Sequence, residues 1–163
     1  MKNTGIVRRI DDLGRIVIPK EIRKPLRIRE GDQLQLFVDR DGRIIFEKCS
    51  SLSQLEEFTQ EYCDSLYETT GHISLIGDRD VIISVSGGSK KLHLGQLTEN
   101  YGKIDDRKII LEDTKVFVPI VAEGDLIGAI ILLAQEDFTS KFGDFEIKIA
   151  QAGASFLAKT ISD

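Results

Sequence analysis

Residues 5–24 read GIVRRIDDLGRIVIPKEIRK, and this stretch decides how the first third of the chain folds. Two short β-rich segments, 6–10 and 15–18, flank a turn in which Gly14 is available for a positive φ. Pro19 follows at the first position of a short helix, where its missing N–H costs no hydrogen bond. The stretch therefore predicts two apolar strands with arginines set into them, leading directly into a basic helix of barely two turns.

A second pair of strands follows this helix. Residues 33–38 and 43–48 are predicted to pair across an Asp41-Gly42 hairpin turn. The strand-strand-helix-strand-strand unit is too small to be stable without a metal, disulfides or a partner, and its sequence supplies neither of the first two. Obligate dimerisation is therefore expected. The apolar side chains that a partner would cover are Val7, Ile10, Leu13, Ile16, Val17, Ile18, Ile22, Leu26, Ile28, Leu34, Leu36, Val38, Ile44 and Phe46.

Charge is distributed unevenly along the 163 residues. Residues 1–50 contain 12 Lys and Arg against eight Asp and Glu, a balance of +4, although the whole chain carries −5. The remaining residues therefore carry −9. A basic first segment on an acidic body favours a polyanionic partner that binds the first segment only, because the body repels nucleic acid.

The remaining residues, 51–163, predict a second domain that begins with a linker helix at about 52–70. Strands are expected over 72–77, 81–86, 108–111, 116–122 and 126–134, and a final helix from about 139 to 161. This order predicts an α+β domain with a central antiparallel sheet and flanking helices. The apolar face of the final helix is expected to comprise Phe145, Ile149, Ala152 and Phe156, flanked by Ala150, Gly153 and Leu157. The sequence leaves open whether that face packs on the sheet or joins two chains.

Several function classes are disfavoured. The longest apolar run is too short to span a bilayer, and the first residues lack a signal-peptide core, so we expect a cytoplasmic protein without a membrane partner. Cys49 and Cys63 form no CxxC pair, and His72 and His93 have no further ligands at metal spacing, so no metal is expected. The sequence shows no Ser/His/Asp grouping or paired carboxylate in an apolar setting, so we expect neither an enzyme nor a cofactor.

The residues quoted above carry a family resemblance. Residues 4–48 resemble the swapped-hairpin DNA-binding domain of the AbrB family, through the motifs TGIVR, DDLGR, IP, EIR and EGD. With SVSGGSKK at 84–91 and VPIVAEGDLIGA at 118–129, the whole chain resembles the stage V sporulation protein T family, in which an AbrB-like domain precedes a GAF domain. The implied division is 1–50 for the DNA-binding domain and 51–163 for the GAF-like domain.

The resemblance implies a barrel formed by the interleaved hairpins of two chains, with cations on its exposed face gripping double-stranded DNA. The positions that match are Arg8, Arg15, Arg23 and Lys24; Arg9, Lys20 and Lys2 are further candidates. Because few base-reading amides accompany these cations, we expect readout of DNA shape, at A/T-rich sites. The alternative is that the cations only solubilise a strand face or pair with Asp11, Asp12 and Glu21.

The resemblance implies a sporulation-type transcription regulator at the nucleoid. Its GAF-like domain would sense an unidentified small molecule or set the geometry of an oligomer, and self-association of both domains through different faces would give a homotetramer. The alternative is an antitoxin-like interaction module, because MazE-like antitoxins share the swapped-hairpin fold. Those proteins carry a short disordered tail, whereas two thirds of this chain follow residue 50 with a folded pattern.

Overall fold

The computed structural model describes residues 4–135 and 142–162, with the side chain of the last residue excepted. The chain divides into two compact units, Met1–Lys48 and Cys49–Asp163. None of the helices in the described part is long and apolar enough to cross a membrane.

The N-terminal unit contains one helix and one hairpin. Helix α1 spans Lys20–Arg23, and strands β1 (Leu34–Val38) and β2 (Ile44–Lys48) pair antiparallel. The Asp41-Gly42 turn forms as predicted, since Gly42 adopts a φ of 76° and the carboxylate of Asp39 accepts hydrogen bonds from the backbone N–H groups of Asp41 and Arg43.

The predicted strands at 6–10 and 15–18 do not form: no residue in the described stretch 4–19 is in a strand. The backbone N–H of Asp11 donates to the carbonyl of Arg15 at 3.0 Å, which is a single hairpin-like bond. Segments of this composition need a neighbouring strand to satisfy their backbone N–H and C=O groups. Within the described part of a single chain, these segments have the turn between them but no neighbouring strand. Helix α1 is also shorter than the predicted two turns, because it ends at Arg23, just before Pro25.

The N-terminal unit has no hydrophobic core of its own. Among residues 4–48, none is buried. Val7 is 83 % exposed and Val38 is 72 % exposed. Exposure of this kind is rare on a stable monomer, where contiguous apolar patches mark interaction sites. The large apolar side chains exposed in this unit are Val7, Ile10, Leu13, Ile16, Val17, Leu26, Leu36, Phe37, Val38, Ile44, Ile45 and Phe46.

The second unit is an α+β domain built on a five-stranded antiparallel sheet, which confirms the predicted architecture. Its strands are β3 (Ile73–Asp78), β4 (Ile82–Ser86), β5 (Ile110–Glu112), β6 (Lys115–Ala122) and β7 (Asp125–Leu133). They lie in the order β4-β3-β7-β6-β5. Apart from the helices described next, the connections contain the short helix α3 (Lys90–His93) and 3-10 turns at Thr98–Asn100 and Ile104–Asp106.

Two long helices cover one face of this sheet. Helix α2 spans Glu56–Thr70, preceded by a 3-10 turn at Ser53–Leu55, and helix α4 spans Asp144–Ser162. Helix α2 ends at Gly71, close to the predicted end at about 70, and this glycine adopts a left-handed φ of 70° that is common just after a helix. The completely buried side chains of Leu52, Ile130 and Leu157 lie in the core between the helices and the sheet.

The buried side of α4 contains the predicted flanking residues Ala150, Gly153 and Leu157 rather than the stripe expected at its centre. Ala150, Gly153, Ala154, Leu157 and Ala158 are the buried residues, whereas the expected Phe145, Ala152 and Phe156 are exposed and Ile149 is half-buried. Small residues allow a helix to approach a sheet closely, and the aromatic rings are left on the other side. The helix begins at Asp144 rather than near 139; residues 139–141 lie outside the described part of the chain.

The opposite face of the sheet is closed by the segment between β4 and β5. Phe117 is completely buried there and packs so tightly on Gly102 that a Cβ at Gly102 would lie 2.6 Å from its ring. Ile104 of the second 3-10 turn and Ile131 of β7 belong to the same core. This side of the sheet is therefore filled by the protein's own side chains.

Candidate nucleic-acid interface

The predicted DNA-contacting cations lie in the N-terminal unit, in the turn and helix segments before β1. Arg8, Arg9, Arg15, Lys20 and Lys24 are exposed. Arg23 is half-buried. Lys2, the remaining candidate, lies outside the described residues.

Arg15 is held by an ion pair with Asp11. Its Nε lies 2.9 Å from Oδ2 of Asp11, and the other oxygen of that carboxylate accepts hydrogen bonds from the backbone N–H groups of Arg15, at 2.8 Å, and Leu13, at 3.0 Å. These bonds hold the pKa of Asp11 below its usual range, and the backbone hydrogen bond from Arg15 contributes most to that shift. The predicted alternative of pairing with Asp11 thus occurs at Arg15, yet its side chain remains 69 % exposed. A pair this exposed contributes little to stability and leaves the guanidinium reachable by phosphate.

Helix α1 positions the other basic side chains around one turn. Pro19 precedes the helix in an extended conformation, and its carbonyl accepts hydrogen bonds from the backbone N–H groups of Ile22 and Arg23. Lys20 and Lys24 flank this turn, with the N–H of Lys24 donating to the carbonyl of Lys20 at 2.9 Å. The two ammonium groups therefore belong to one short, backbone-fixed element.

A half-buried ion pair that the sequence did not indicate joins the end of the hairpin to the segment between α1 and β1. Nζ of Lys48 lies 3.0 Å from Oδ2 of Asp32 and donates to the carbonyl of Arg27 at 2.9 Å. The Asp32 carboxylate also accepts a hydrogen bond from the backbone N–H of Arg29 at 2.8 Å. The only sequence signal near this pair was the EGD motif that ends at Asp32. That motif predicts a turn, but it does not indicate that Asp32 pairs with a lysine 16 residues later.

The hairpin turn itself carries a cation that was not a candidate. The guanidinium of Arg43 lies 2.9 Å from Asp41 and 3.7 Å from Asp39. Two carboxylates therefore compensate its charge at the hairpin tip. The candidate cations, in contrast, precede β1.

The second unit contributes an exposed aromatic surface on α2 and α4. The rings of Phe58 and Phe156 stack with centroids 5.8 Å apart, and Tyr62 lies 6.2 Å from Phe156. The hydroxyl of Tyr62 donates to the carbonyl of Ile149 at 3.4 Å. We call Phe58, Phe145, Ala152 and Phe156 the α2–α4 face.

Two polar groups of the second unit are buried rather than arranged as a reactive site. Burial raises the pKa of the Cys63 thiol to about 12, and the thiol donates to the carbonyl of Ser74. His72 is completely buried with Nε2 4.0 Å from Oε1 of Glu146. Within the described ranges, His, Cys, Asp and Glu side chains form no group of three that could hold a metal ion.

Comparisons with known proteins match both units. The C-terminal domain of stage V sporulation protein T, described as a transcription factor, matches residues 54–162 as a family. Stage V sporulation protein T of Bacillus subtilis (strain 168) is 48 % identical over an alignment of 177 positions that covers 98 % of each protein. The chain belongs to the stage V sporulation protein T family. It is therefore a sporulation transcription regulator.

The two units of this family member have separate relatives. The transition state regulatory protein AbrB of Bacillus subtilis is 56 % identical over 48 residues, which cover 29 % of this chain and 49 % of that protein. Residues 7–48 also match the family described as antidote-toxin recognition MazE, bacterial antitoxin. The GAF domain of a phosphoenolpyruvate-protein phosphotransferase from Acinetobacter has a TM-score of 0.56 at 10 % identity, covering 66 % of this chain and 82 % of that one. The fold of the second unit is thus GAF-like, and the N-terminal unit is AbrB-like.

Proposed function

We propose that this regulator binds double-stranded DNA through a dimer of its N-terminal units, within the cytoplasm at the nucleoid. The observation that supports the dimer most directly is that no residue among 4–48 is buried in the single chain, and that twelve of the large apolar side chains there are exposed. Each such side chain contributes roughly 1.5–3 kcal/mol when it is fully buried. If two chains interleave, the apolar side chains on both faces of the β1–β2 hairpin become buried. The segments 6–10 and 15–18 then also gain neighbouring strands from the partner.

Dimerisation would also concentrate the cations. A two-fold axis doubles Arg8, Arg15, Arg23 and Lys24, and Arg9, Lys20 and Lys2 can add further phosphate contacts. Arginine presents a planar fork that suits phosphate oxygens and guanine, whereas lysine acts as a point charge. The acidic second unit, with its balance of −9 after residue 50, repels the phosphates and so directs DNA to the N-terminal unit.

Recognition of A/T-rich sites would come from DNA shape. The candidate positions supply cations rather than the Asn and Gln side chains that pair with adenine in the major groove. A-tracts have a narrow minor groove with an enhanced negative potential that attracts Arg and Lys. Selectivity without an amide code is the expected outcome of such an interface.

The second unit would sense a small molecule or set the geometry of the assembly. We propose that the α2–α4 face joins two dimers into a tetramer, since Phe58, Phe145 and Phe156 are exposed on it. Two N-terminal dimers at a fixed separation would bridge two DNA sites. A ligand that binds one packing of the helices better than another would change that separation.

Fluorescence anisotropy of the full-length chain on A/T-rich and G/C-rich duplexes of equal length, across a salt series, tests the DNA-binding proposal. We expect tighter binding to the A/T-rich duplex and an affinity that falls steeply with salt, with a slope of roughly −0.9 for each phosphate neutralised. Absence of binding to both duplexes at low salt would overturn the proposal. Equal affinity for the two duplexes would remove the shape-readout part and leave a non-selective binder.

A further inference from the structure

A groove of about 620 Å³ lies in the second unit between helix α4, strand β6 and the segment that precedes β5. Helix α4 packs mainly on β6 and β7. Strand β5 pairs only with residues 115–117 of β6, so residues 118–122, four of which line the groove, have no neighbouring strand on their outer side among the described residues. Ile109 and Val121 are exposed in this groove, and Val118 forms part of its apolar wall. A cavity of this size is within the range that holds a small organic ligand.

The opposite side of the groove is formed by small and polar residues of α4. Ala154, Ser155 and Ala158 line it, and Gln151 and Lys159 lie at neighbouring positions of the same helix. The small side chains leave room beside the apolar strand residues. The groove therefore combines an apolar interior with polar groups along the rim.

Two cations and one carboxylate contribute charge to this rim. Arg107 and Lys159 line the groove together with Glu123, so the lining has one positive charge in excess in a unit that is acidic as a whole. The Arg107 guanidinium donates a hydrogen bond to the carbonyl of Gly124 at 2.8 Å. A guanidinium has five N–H donors, and the remaining donors can bind a carboxylate.

The end of the groove is fixed by its backbone. Arg107 and Glu123 both adopt a left-handed φ of 51°, which is uncommon for residues other than glycine. The bond from Arg107 to Gly124 ties the segment before β5 to the β6–β7 turn. The cation is thus positioned before any ligand arrives, which lowers the ordering cost of binding.

We propose that this groove binds a small amphiphilic carboxylate, with its aliphatic part against Ile109, Val118 and Val121 and its carboxylate held by Arg107 and Lys159. The positive excess on the rim favours an anion over a cation, and the apolar wall favours an aliphatic body over a purely polar metabolite. The inference rests on the proposed sensing role of the second unit, whose ligand class it names. It is independent of DNA binding, because every residue of the groove belongs to the second unit.

Methyl NMR of the full-length protein, labelled at Ile, Val and Ala, tests the proposal with octanoate as the probe and octylamine as the cationic control. We expect saturable shifts at Ile109, Val118 and Ala154 with octanoate, and much weaker shifts with octylamine. Ser155→Phe fills the groove from an exposed helix position and should abolish the octanoate shifts. Lys159→Gln should weaken octanoate binding several-fold, whereas the matched control Lys148→Gln, on an exposed position of the same helix outside the groove, should leave it unchanged.

Several outcomes would overturn the proposal. They are the absence of saturable octanoate shifts, shifts that are equal with octylamine, and shifts that survive Ser155→Phe. A change of oligomeric state in Ser155→Phe would instead identify the groove as an interface between copies of the chain.

Anisotropy on the A/T-rich duplex separates ligand binding from DNA binding. In the absence of ligand, Ser155→Phe should bind DNA like the unmodified protein, and loss of octanoate binding alone would leave the DNA-binding proposal intact.

Discussion

The rings of Phe58 and Phe156 stack on each other with centroids 5.8 Å apart, yet each side chain is 45 % exposed. Stacking joins α2 to α4 at the surface, and Phe145 is exposed on the same side of α4. Aromatic side chains of this kind are enriched at protein interfaces because they bury a large area at low entropic cost. The pair therefore supplies the centre of a surface suited to self-association.

Phe156→Glu should convert the proposed tetramer into a dimer. Placing a carboxylate at the centre of an apolar interface carries a desolvation cost that a partner without a matching cation cannot offset. Sedimentation velocity of the full-length protein measures the change. Gln151→Glu, an equal addition of charge at another exposed position of α4, should leave the tetramer intact. A tetramer that persists in Phe156→Glu would place the contact elsewhere.

Arg15→Ala should abolish selective DNA binding without unfolding the protein. The side chain is mainly exposed, and its ion pair with Asp11 contributes little to stability, so its loss removes a phosphate or base contact rather than a structural one. Anisotropy on the A/T-rich duplex, with circular dichroism to verify folding, measures the effect. Arg43→Ala removes the same charge from the hairpin tip, where Asp39 and Asp41 compensate it, and should retain binding. If both variants lose the same DNA affinity, the effect of Arg15→Ala is explained by the change in net charge alone.

Local sequence signals predicted the β1–β2 hairpin and the end of α2, because an Asp-Gly turn and a helix-stopping glycine act within a few residues. The missing strands at 6–10 and 15–18 show the limit of such signals, since extended segments need partner strands that a local pattern cannot supply. Helix α4 has two apolar stripes, one containing Phe145 and Phe156 and the other Ala154 and Leu157. Residue spacing alone does not show which of the two stripes packs on the sheet. The stripe with small residues does so, because it lets the helix approach the sheet more closely.

The candidate DNA-contacting residues were the part of the site that the sequence predicted least precisely. The positions of basic residues in a sequence do not show which of their charges are compensated by a nearby carboxylate. Lys48 pairs with Asp32, and Arg43 pairs with Asp39 and Asp41, and each pairing depends on how the turns fold. Arg15 illustrates the difficulty, because the same side chain is both paired and exposed. Its role stays a prediction that the variants above address.

Gly153→Ala should destabilise the second unit even though alanine is the better helix former. A Cβ at this position would lie 2.2 Å from Cε1 and 2.3 Å from the hydroxyl of Tyr62, so α4 or the tyrosine ring must shift. Overpacking of this kind costs typically about 1–3 kcal/mol, which exceeds the roughly 0.5–1 kcal/mol gained by replacing a helical glycine. Urea denaturation measures the difference.

The matched variant for that prediction is Tyr62→Ala combined with Gly153→Ala. Removing the ring removes the clash, so adding the methyl group to the Tyr62→Ala background should be neutral or stabilising. If Gly153→Ala destabilises both backgrounds equally, the contact with Tyr62 is not its cause.

Acid should weaken the second unit through its two histidines. Burial lowers the pKa of His72 below its ordinary value, although the nearby Glu146 carboxylate partly opposes the shift, and burial also lowers the pKa of His93. In the window between these lowered values and the ordinary pKa of 6.5, the unfolded chain binds more protons than the folded chain. Stability is therefore complete above pH 6.5 and falls as the pH drops through that window.

Urea denaturation of the full-length protein at several pH values between 8 and about 5 measures this dependence. His72→Gln should flatten the profile, since the side chain no longer titrates, although burial of an amide lowers stability at every pH. His93→Gln serves as the matched variant: its ring Nδ1 lies 2.8 Å from the hydroxyl of Tyr101 at a site away from Glu146, so the two substitutions should flatten the profile additively. A profile unchanged in both variants would assign the acid sensitivity to carboxylates instead.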